Sequence, residues 1–223
     1  MLYYTELITY YSMKKITCLL VSYLLINSLY AQAFKGTIQM MESTGKTIRN
    51  TVWKTNGVDH VFTNDNIEGP DNKTYSASLL FKDMKAYYFG SNSTTYFMPD
   101  ISQIAATNTL IWKGAKTILT GQTKQLAGHT CKEVIVMAST MRATCWVAED
   151  VTNIALPKEL NVNNPINVLS SNNIKGYPLQ VTVQDPQGNT LSEQTILAIQ
   201  PEEIPAATLR LPANYTPMEI PSK

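Results

Sequence analysis

Residue types that could carry out catalysis or bind a metal are scarce in this sequence. It contains two histidines and three cysteines, and it has no H-x-x-x-H or C-x-x-C motif around His60, His129 or any cysteine. A zinc site needs three or four converging ligands. We therefore predict no metal site and no cofactor, and we expect both histidines to be exposed residues of strands or turns.

A cysteine nucleophile would pair Cys131 or Cys145 with His129, and such a pair also needs a third group that orients the imidazole. Cys131 and His129 would share one face of a strand, but the sequence points to no orienting group. The paired carboxylates at residues 149–150 and 202–203 fall at a strand end and in a proline-rich tail, where solvated positions are expected. The sequence therefore predicts that the protein is not an enzyme.

The N-terminal segment, residues 1–33, has the order of features found in a signal peptide. Residues 13–15 are basic at two positions, residues 16–29 are mostly apolar, and residues 31–33 have the small-x-small pattern of a cleavage site. The apolar run is shorter than the about 20 residues of a membrane span, and no lipoprotein cleavage box is present. Because the residues before Met13 lack a basic start, Met13 is the alternative start. We predict a periplasmic or secreted protein with no transmembrane span in the mature chain.

Cys131 and Cys145 are the cysteines that remain after such cleavage, in a compartment where disulfides persist. If the two faced each other in an antiparallel hairpin, the chain would reverse at Ala138. A direct pair has Cα atoms about 4.5 to 5.5 Å apart, within the about 4.4 to 6.8 Å that a disulfide tolerates. Two hypotheses stand equal at this point: a disulfide, or two small buried apolar residues that never bond.

The segments that position these residues are predicted mostly as β-strands, in which apolar and polar residues alternate with period two. Asn56 and Gly57 form a strong hairpin signal between two of them. The predicted strands are residues 34–41, 48–54, 58–63, 78–82, 86–89, 94–98, 118–126, 130–137, 143–148, 177–184 and 191–200.

Residues 100–112 break this alternation, because Ile104 and other apolar residues recur near helical spacing after Asp100, a suitable N-cap. A helix is predicted there, and a short helical turn is predicted over residues 156–160. The proline-rich C-terminal tail, residues 201–221, is expected to lie extended over the sheet edge.

The composition fits one folded domain over residues 34–223. The chain has 223 residues, of which 44% are hydrophobic and 16% charged, and this excludes an extended disordered chain. The net charge of +1 offers no excess of cations for phosphates, so no nucleic-acid partner is expected. We predict a mainly β fold of the α+β class: a single curved antiparallel sheet or half-barrel with one or two short helices over its concave face.

Large apolar side chains are predicted on both faces of this sheet, since alternation sends neighbours such as Tyr87 and Tyr88 to opposite sides. An uncovered apolar face would invite aggregation. Either other elements cover the second face as ordinary core, or the sheet curls around a ligand cavity. If there is a cavity, the candidate lining residues are Trp53, Phe81, Tyr88, Met98, Ile104 and Trp112.

Four blocks of the sequence resemble, in order, those of a known family. Residues 120–133 (TGQTKQLAGHTCKE) resemble a T-G-x-T-K-x-I-A-G-Y-x-C-x-x-Y block, and residues 145–150 (CWVAED) resemble a T-x-W-V-x-x-D segment. Residues 176–179 (GYPL) resemble a G-x-P-L strand entry, and residues 211–218 (LPANYTPM) resemble a closing P-x-G-Y-x-x-M. These blocks are typical of a family of exported bacterial domains of unknown function, related to the outer-membrane lipoprotein carrier (LolA/LolB-like) fold.

The resemblance implies a strongly curved antiparallel half-barrel with a helical segment over or inside its concave face. In the lipoprotein carriers that face holds acyl chains. The family has no settled activity and offers no catalytic residues to transfer. His129 stands where the family often has Tyr, and Asn214 stands where it has Gly, a change that keeps the turn feasible because Asn tolerates the left-handed conformation.

These observations lead to a first hypothesis: a non-catalytic exported protein that binds an apolar or lipid-like ligand, such as a lipoprotein acyl chain, in a half-barrel cavity. The alternative is a structural or protein-interaction module with a filled core and an envelope protein as its partner. A hydrolase ranks third.

Overall fold

The part of the chain that the structure describes contains twelve β-strands and the short α-helix Pro165–Ser171. The structure, a computed structural model, describes residues 33–68, 74–83, 85–99, 111–157 and 164–218, so the predicted signal peptide lies outside the described residues except for Ala33. The elements, in chain order, are β1 (Gly36–Thr44), β2 (Thr47–Thr55), β3 (His60–Glu68), β4 (Thr74–Lys82), β5 (Lys85–Gly90), β6 (Thr95–Phe97), β7 (Lys116–Leu126), β8 (His129–Met137), β9 (Arg142–Ala148), α1 (Pro165–Ser171), β10 (Tyr177–Gln184), β11 (Thr190–Pro201) and β12 (Thr216–Pro217).

The strands form one open, curved sheet in the order β12-β6-β5-β4-β3-β2-β1-β11-β10-β9-β8-β7. The prediction of a mainly β fold with a curved sheet is confirmed. The prediction of a purely antiparallel sheet is wrong at one edge, where β12 pairs with β6 in parallel. This pair is parallel because the C-terminal tail crosses a face of the sheet before it reaches that edge.

Most strands lie where the alternation predicts them, and the largest difference is in β3. This strand continues to Glu68, beyond the predicted strand of residues 58–63, with a register irregularity between Asn64 and Ile67. Two residues of β3 here stand against one residue of β4, so β3 has one extra residue, as in a β-bulge. The partner strand overrides the local loop composition, so β3 and β4 form a longer hairpin than expected.

The helix α1 begins at Pro165 and not at the predicted helical turn. Leu156 and Pro157 are not helical, and residues 158–160 lie outside the described part. Asn164 caps the helix, since its side-chain oxygen accepts a hydrogen bond of 2.8 Å from the backbone N–H of Asn167, and Pro165 lacks the N–H that a helix start leaves unpaired.

The helix predicted over residues 100–112 falls almost wholly outside the described residues, which include only Ile111 and Trp112 of it. No helix within the described ranges is long and apolar enough to cross a membrane.

A row of apolar side chains crosses β1 to β5 on one face, which we call the inner face. The register aligns Ile38, Trp53, Phe62, Leu79 and Tyr88 on successive strands. Trp53 stacks on Phe62 with ring centroids 5.1 Å apart. Facing side chains on neighbouring strands are the unit of sheet stabilisation, so this row specifies the register of the middle of the sheet.

On the opposite face, the outer face, the C-terminal tail covers the part that β3, β4 and β5 form. Tyr87 belongs to this face and Tyr88 to the inner one, as the alternation predicts. The tail ends at the sheet edge, where the Tyr215 hydroxyl donates a 2.9 Å hydrogen bond to the Gly90 carbonyl. The apolar residues that pack together under the tail are Val61, Leu80, Tyr87, Phe89, Ile204, Leu209 and Leu211.

Cys131 and Cys145 are free and buried. The β8–β9 hairpin pairs Cys131 with Ala148 and Cys145 with Val134. The two cysteines are therefore three positions out of register, about 10 Å along the strands, beyond the about 4.4 to 6.8 Å of a disulfide. The register does not fit the disulfide hypothesis, and each cysteine instead packs as a small apolar residue in a different core cluster.

His60 is buried, so the expectation of an exposed histidine is wrong for this residue. It faces Thr55 on β2 and Phe81 on β4, and its Nδ1 accepts a 3.3 Å hydrogen bond from Trp53 Nε1. Burial lowers the pKa of His60 from 6.5 to about 4, against a smaller opposing effect of the Asp59 charge. The imidazole is therefore neutral in the folded protein near pH 7.

We predict that acidification destabilises the protein through His60. Its pKa is about 6.5 in the unfolded chain and about 4 in the fold, so the unfolded state binds the additional proton as the pH falls through that window. The expected loss is about 2 kcal/mol, less than the full linkage value because the ring is not completely shielded from solvent. Urea denaturation from pH 7 to pH 4 measures it. His60→Asn, which keeps an acceptor for Trp53, should remove this part of the pH dependence, whereas His129→Asn should leave it in place; equal slopes for His60→Asn and wild type would contradict the prediction.

We predict that replacement by alanine destabilises the protein more at Gly176, at the entry to β10, than at Gly188. The φ of Gly176 is +101°, and a Cβ there would lie 2.1 Å from the Ala148 carbonyl oxygen. Gly188 also has a positive φ, of +86°, but a Cβ there meets no atom within 4 Å. Both alanine variants carry backbone strain of about 1 kcal/mol or more, and only Gly176→Ala adds a clash with backbone. Its unfolding free energy should fall well below that of Gly188→Ala, and equal losses would show that the close approach has no effect.

Candidate functional site

A cavity of about 550 Å³ lies on the inner face of the sheet, within the about 300 to 1,000 Å³ typical of small-molecule sites. Its walls come from β1 to β5, from β10 and β11, and from the start of α1. The apolar wall residues include Met40, Trp53, Phe62, Ala77, Leu79, Tyr88, Leu156, Ile166, Val181 and Val183. The inner face is thus not completely filled by side chains of the described residues.

The six candidate lining residues do not all lie at the cavity. Trp53 and Tyr88 line the cavity. Phe81 is buried next to it, with its ring edge-on to Phe62 at 5.9 Å between centroids, and Met98 lies beyond β6 and is half exposed. Neither lines the cavity, so the expectation for them is corrected.

Trp112 also lies away from the cavity, and Ile104 lies outside the described residues. Trp112 packs with Val134 and Cys145 in a separate core cluster near α1. The prediction for Trp112 rested on its size and apolar character, which indicate burial but not which part of a long sheet it contacts. Sequence analysis missed Phe62 and Leu79 as lining residues, although they belong to the same alternating rows as Trp53 and Tyr88.

One part of the cavity is polar. Glu42 and Thr44 alternate with Met40 along β1 and so share its face, and the register places Gln194 opposite Glu42 and Ser192 opposite Thr44. All four line the cavity. We call this group, Glu42, Thr44, Ser192 and Gln194, the acceptor patch, because its side chains offer a carboxylate, two hydroxyls and an amide oxygen.

Glu42 is the ionisable member of the acceptor patch. Burial raises the pKa of Glu42, and the nearby Arg49 charge opposes that effect. Arg49 faces Glu42 across the β1–β2 pair and is exposed. Within the described part of the chain, no hydrogen bond or ion pair reaches the Glu42 carboxylate. The carboxylate therefore keeps its acceptor capacity for another group.

Glu193 also borders the cavity, but the register directs its side chain to the outer face, together with Ser43 and Thr182. It accepts hydrogen bonds from Gln180 Nε2 at 2.8 Å and from Thr182 Oγ1 at 3.4 Å. Among the described residues that line the cavity there is no lysine or arginine. Glu42 is therefore the charged side chain that the described wall presents to the cavity.

A possible nucleophile, Cys131 with His129, lies at another place on the sheet. Asp150 orients the imidazole through a 2.7 Å contact to Nδ1, which is the third group that the sequence did not reveal. The Cys131 thiol, however, points to the backbone carbonyl of His129 at 3.8 Å, and burial raises the pKa of Cys131. A buried, protonated thiol without a base at its sulfur is not an activated nucleophile.

No group of three or more histidine, cysteine, aspartate or glutamate side chains converges on a point within the described ranges.

Comparison with known proteins gives one family and several distant structural likenesses. The sequence profile of a domain of unknown function, DUF4412, matches residues 34–215. No curated protein matches the chain.

Three solved structures illustrate the likenesses. An uncharacterized conserved protein from Thermus thermophilus has 7% identity and a TM-score of 0.48, over 89% of this chain and 98% of that one. A chain of the Pseudomonas aeruginosa MucA/MucB complex has 9% identity and a TM-score of 0.41, over 87% and 62%. PNGF-II has 13% identity and a TM-score of 0.42, and the matched part spans 84% of this chain but only 31% of PNGF-II.

The DUF4412 match covers most of the sequence and nearly all of the strands described above, so the chain belongs to the DUF4412 family of domains of unknown function.

Proposed function

We propose that the protein is a non-catalytic, exported binding protein that holds an apolar or lipid-like ligand in the inner-face cavity. The observation that carries this proposal is the cavity itself, about 550 Å³ with a largely apolar wall of Met40, Trp53, Phe62, Leu79 and Tyr88. Each CH₂ group buried there contributes about 0.8 kcal/mol. The free energy gained by burying a long alkyl chain can therefore exceed the free-energy cost of association without any charged contact.

The proposal includes a half-barrel of the lipoprotein-carrier type and a periplasmic or secreted location. The curved sheet with α1 against the cavity wall supports the first, and the signal-peptide pattern of residues 1–33 supports the second. The ligand class follows from the wall chemistry. A lipoprotein acyl chain is one member of that class.

Native mass spectrometry with solvent extraction, on protein recovered from a periplasm, tests the proposal. A bound species of lipid mass that extraction releases is the expected result. A ligand-free mass, together with no displaceable uptake of the apolar probe N-phenyl-naphthylamine, would contradict it.

Filling the cavity should abolish retention. Leu79 lies on the cavity wall between Phe62 and Tyr88, so Leu79→Trp places an indole where the ligand would lie and should weaken N-phenyl-naphthylamine binding by at least about tenfold, which corresponds to 1.4 kcal/mol. Leu197→Trp is the matched control, because Leu197 is 50% exposed and does not line the cavity. Circular dichroism and thermal denaturation confirm that both variants fold. Equal binding of N-phenyl-naphthylamine by the two variants would contradict the proposal.

A protein-interaction module is the second candidate function, and the β7 edge favours it. Among the described strands, β7 pairs only with β8, and Leu119 on β7 is 63% exposed. An exposed edge of this kind can add a strand from a partner. In that case Leu119→Lys should remove the partner captured by cross-linking in cells, whereas Leu79→Trp should leave it. If the Leu119→Lys variant still cross-links to the partner, this edge is not the interface.

A further inference from the structure

The polar part of the cavity carries the Glu42 carboxylate, and the described lining residues include no lysine or arginine. The acceptor patch comprises two facing residue pairs on β1 and β11, Glu42 with Gln194 and Thr44 with Ser192. Facing side chains have Cβ atoms about 4.5 to 5.5 Å apart, and successive pairs on one face lie about 7 Å apart along the strand. The four side chains are therefore close enough to contact one small headgroup.

Within the described residues, the patch keeps acceptor capacity that no partner uses. No hydrogen bond or ion pair within the described ranges reaches the Glu42 carboxylate. Gln194 directs its Nε2 to Met40 Sδ at 3.1 Å, so its amide oxygen remains available as an acceptor. A carboxylate in a partly buried, largely apolar wall is stabilised by an opposite charge more strongly than in water.

The wall also disfavours one class of ligand. Glu42 is the charged side chain that the register directs into the cavity among the described lining residues, and the facing Arg49 is exposed and does not line the cavity. An anionic headgroup placed at the patch would bring like charges together in a medium of low dielectric constant, which is costly. A cationic headgroup would instead satisfy the Glu42 carboxylate and meet the hydroxyl and amide oxygens as acceptors.

We propose that the cavity selects a cationic amphiphile, in which a primary ammonium is held by Glu42 and its neighbours in the acceptor patch while the alkyl chain packs along Trp53, Phe62 and Leu79. The proposal rests on the proposed binding function and names the headgroup chemistry of the ligand. Three N–H donors of an ammonium match the carboxylate, the Gln194 oxygen and a hydroxyl of Thr44 or Ser192.

Arg49 is the cation of the chain that competes for Glu42. It faces Glu42 in the β1–β2 register and extends into solvent, so it partly screens the carboxylate without pairing with it. Removing the guanidinium should strengthen the binding of an ammonium. This gives a second variant whose expected effect has the opposite sign to that of Glu42→Gln.

Three probes with the same alkyl chain test the proposal at neutral pH: dodecylamine and dodecanoate below their critical micelle concentrations, and dodecanol below its solubility limit. Displacement of N-phenyl-naphthylamine from the full folded protein reports each affinity. Dodecylamine should bind about tenfold tighter than dodecanol, a 1.4 kcal/mol difference, and dodecanoate should bind most weakly. Glu42→Gln should make dodecylamine and dodecanol equal, Arg49→Met should increase the preference for dodecylamine, and Glu203→Gln, an exposed tail carboxylate, should change nothing.

The outcomes distinguish the headgroup proposal from the proposal that the cavity binds an apolar ligand. If all three probes bind but dodecanoate binds as well as dodecylamine, or if Glu42→Gln and Arg49→Met both leave the order unchanged, the headgroup assignment is wrong and the apolar-binding proposal stands. If none of the three displaces the probe from a folded protein, both are overturned.

Discussion

The constraint on which this structure depends is that a single sheet carries large apolar side chains on both faces. Successive side chains of a strand point to opposite faces of the sheet. Here both faces carry large apolar side chains, and either face left in water would be an aggregation-prone patch. The chain therefore needs two separate covers. On the outer face the C-terminal tail covers β3, β4 and β5, with Ile204 and Leu209 buried against Val61 and Leu80.

The inner face is treated differently. The Trp53–Phe62 stack and the buried His60 fill its centre, whereas α1 contributes only its first residues to the wall of the cavity. Space remains between the sheet and that wall, and the acceptor patch lies in it. The same alternation that buries Met40 sends Glu42 into the same space, so a core strand supplies both the apolar and the ionisable parts of the site.

The sequence predicts the strands well because each depends on local alternation, as the hairpin at Asn56 and the opposite directions of Tyr87 and Tyr88 illustrate. It predicts long-range placement poorly. The disulfide hypothesis depended on a register three residues away from the observed one, and the burial of His60 depends on Trp53 and Phe81, which belong to other strands. Trp53 and Tyr88 were predicted as lining residues from their size, but size alone could not distinguish them from Trp112. Glu42 gave no signal, because a single glutamate in an alternating strand is ordinary until the facing strand is known.

The two ends of the sheet differ in a way that limits how copies of this chain can associate. At one end β12 is two residues long, contains Pro217 and is tied to β6, and a short strand with proline is a poor template for further pairing. At the other end β7 is eleven residues long. Among the described strands β7 is thus the long open edge, and a pair formed edge to identical edge is isologous and leaves no second long edge for a further copy. A sheet with two long open edges would have no such limit, and strand pairing could extend it into a fibre.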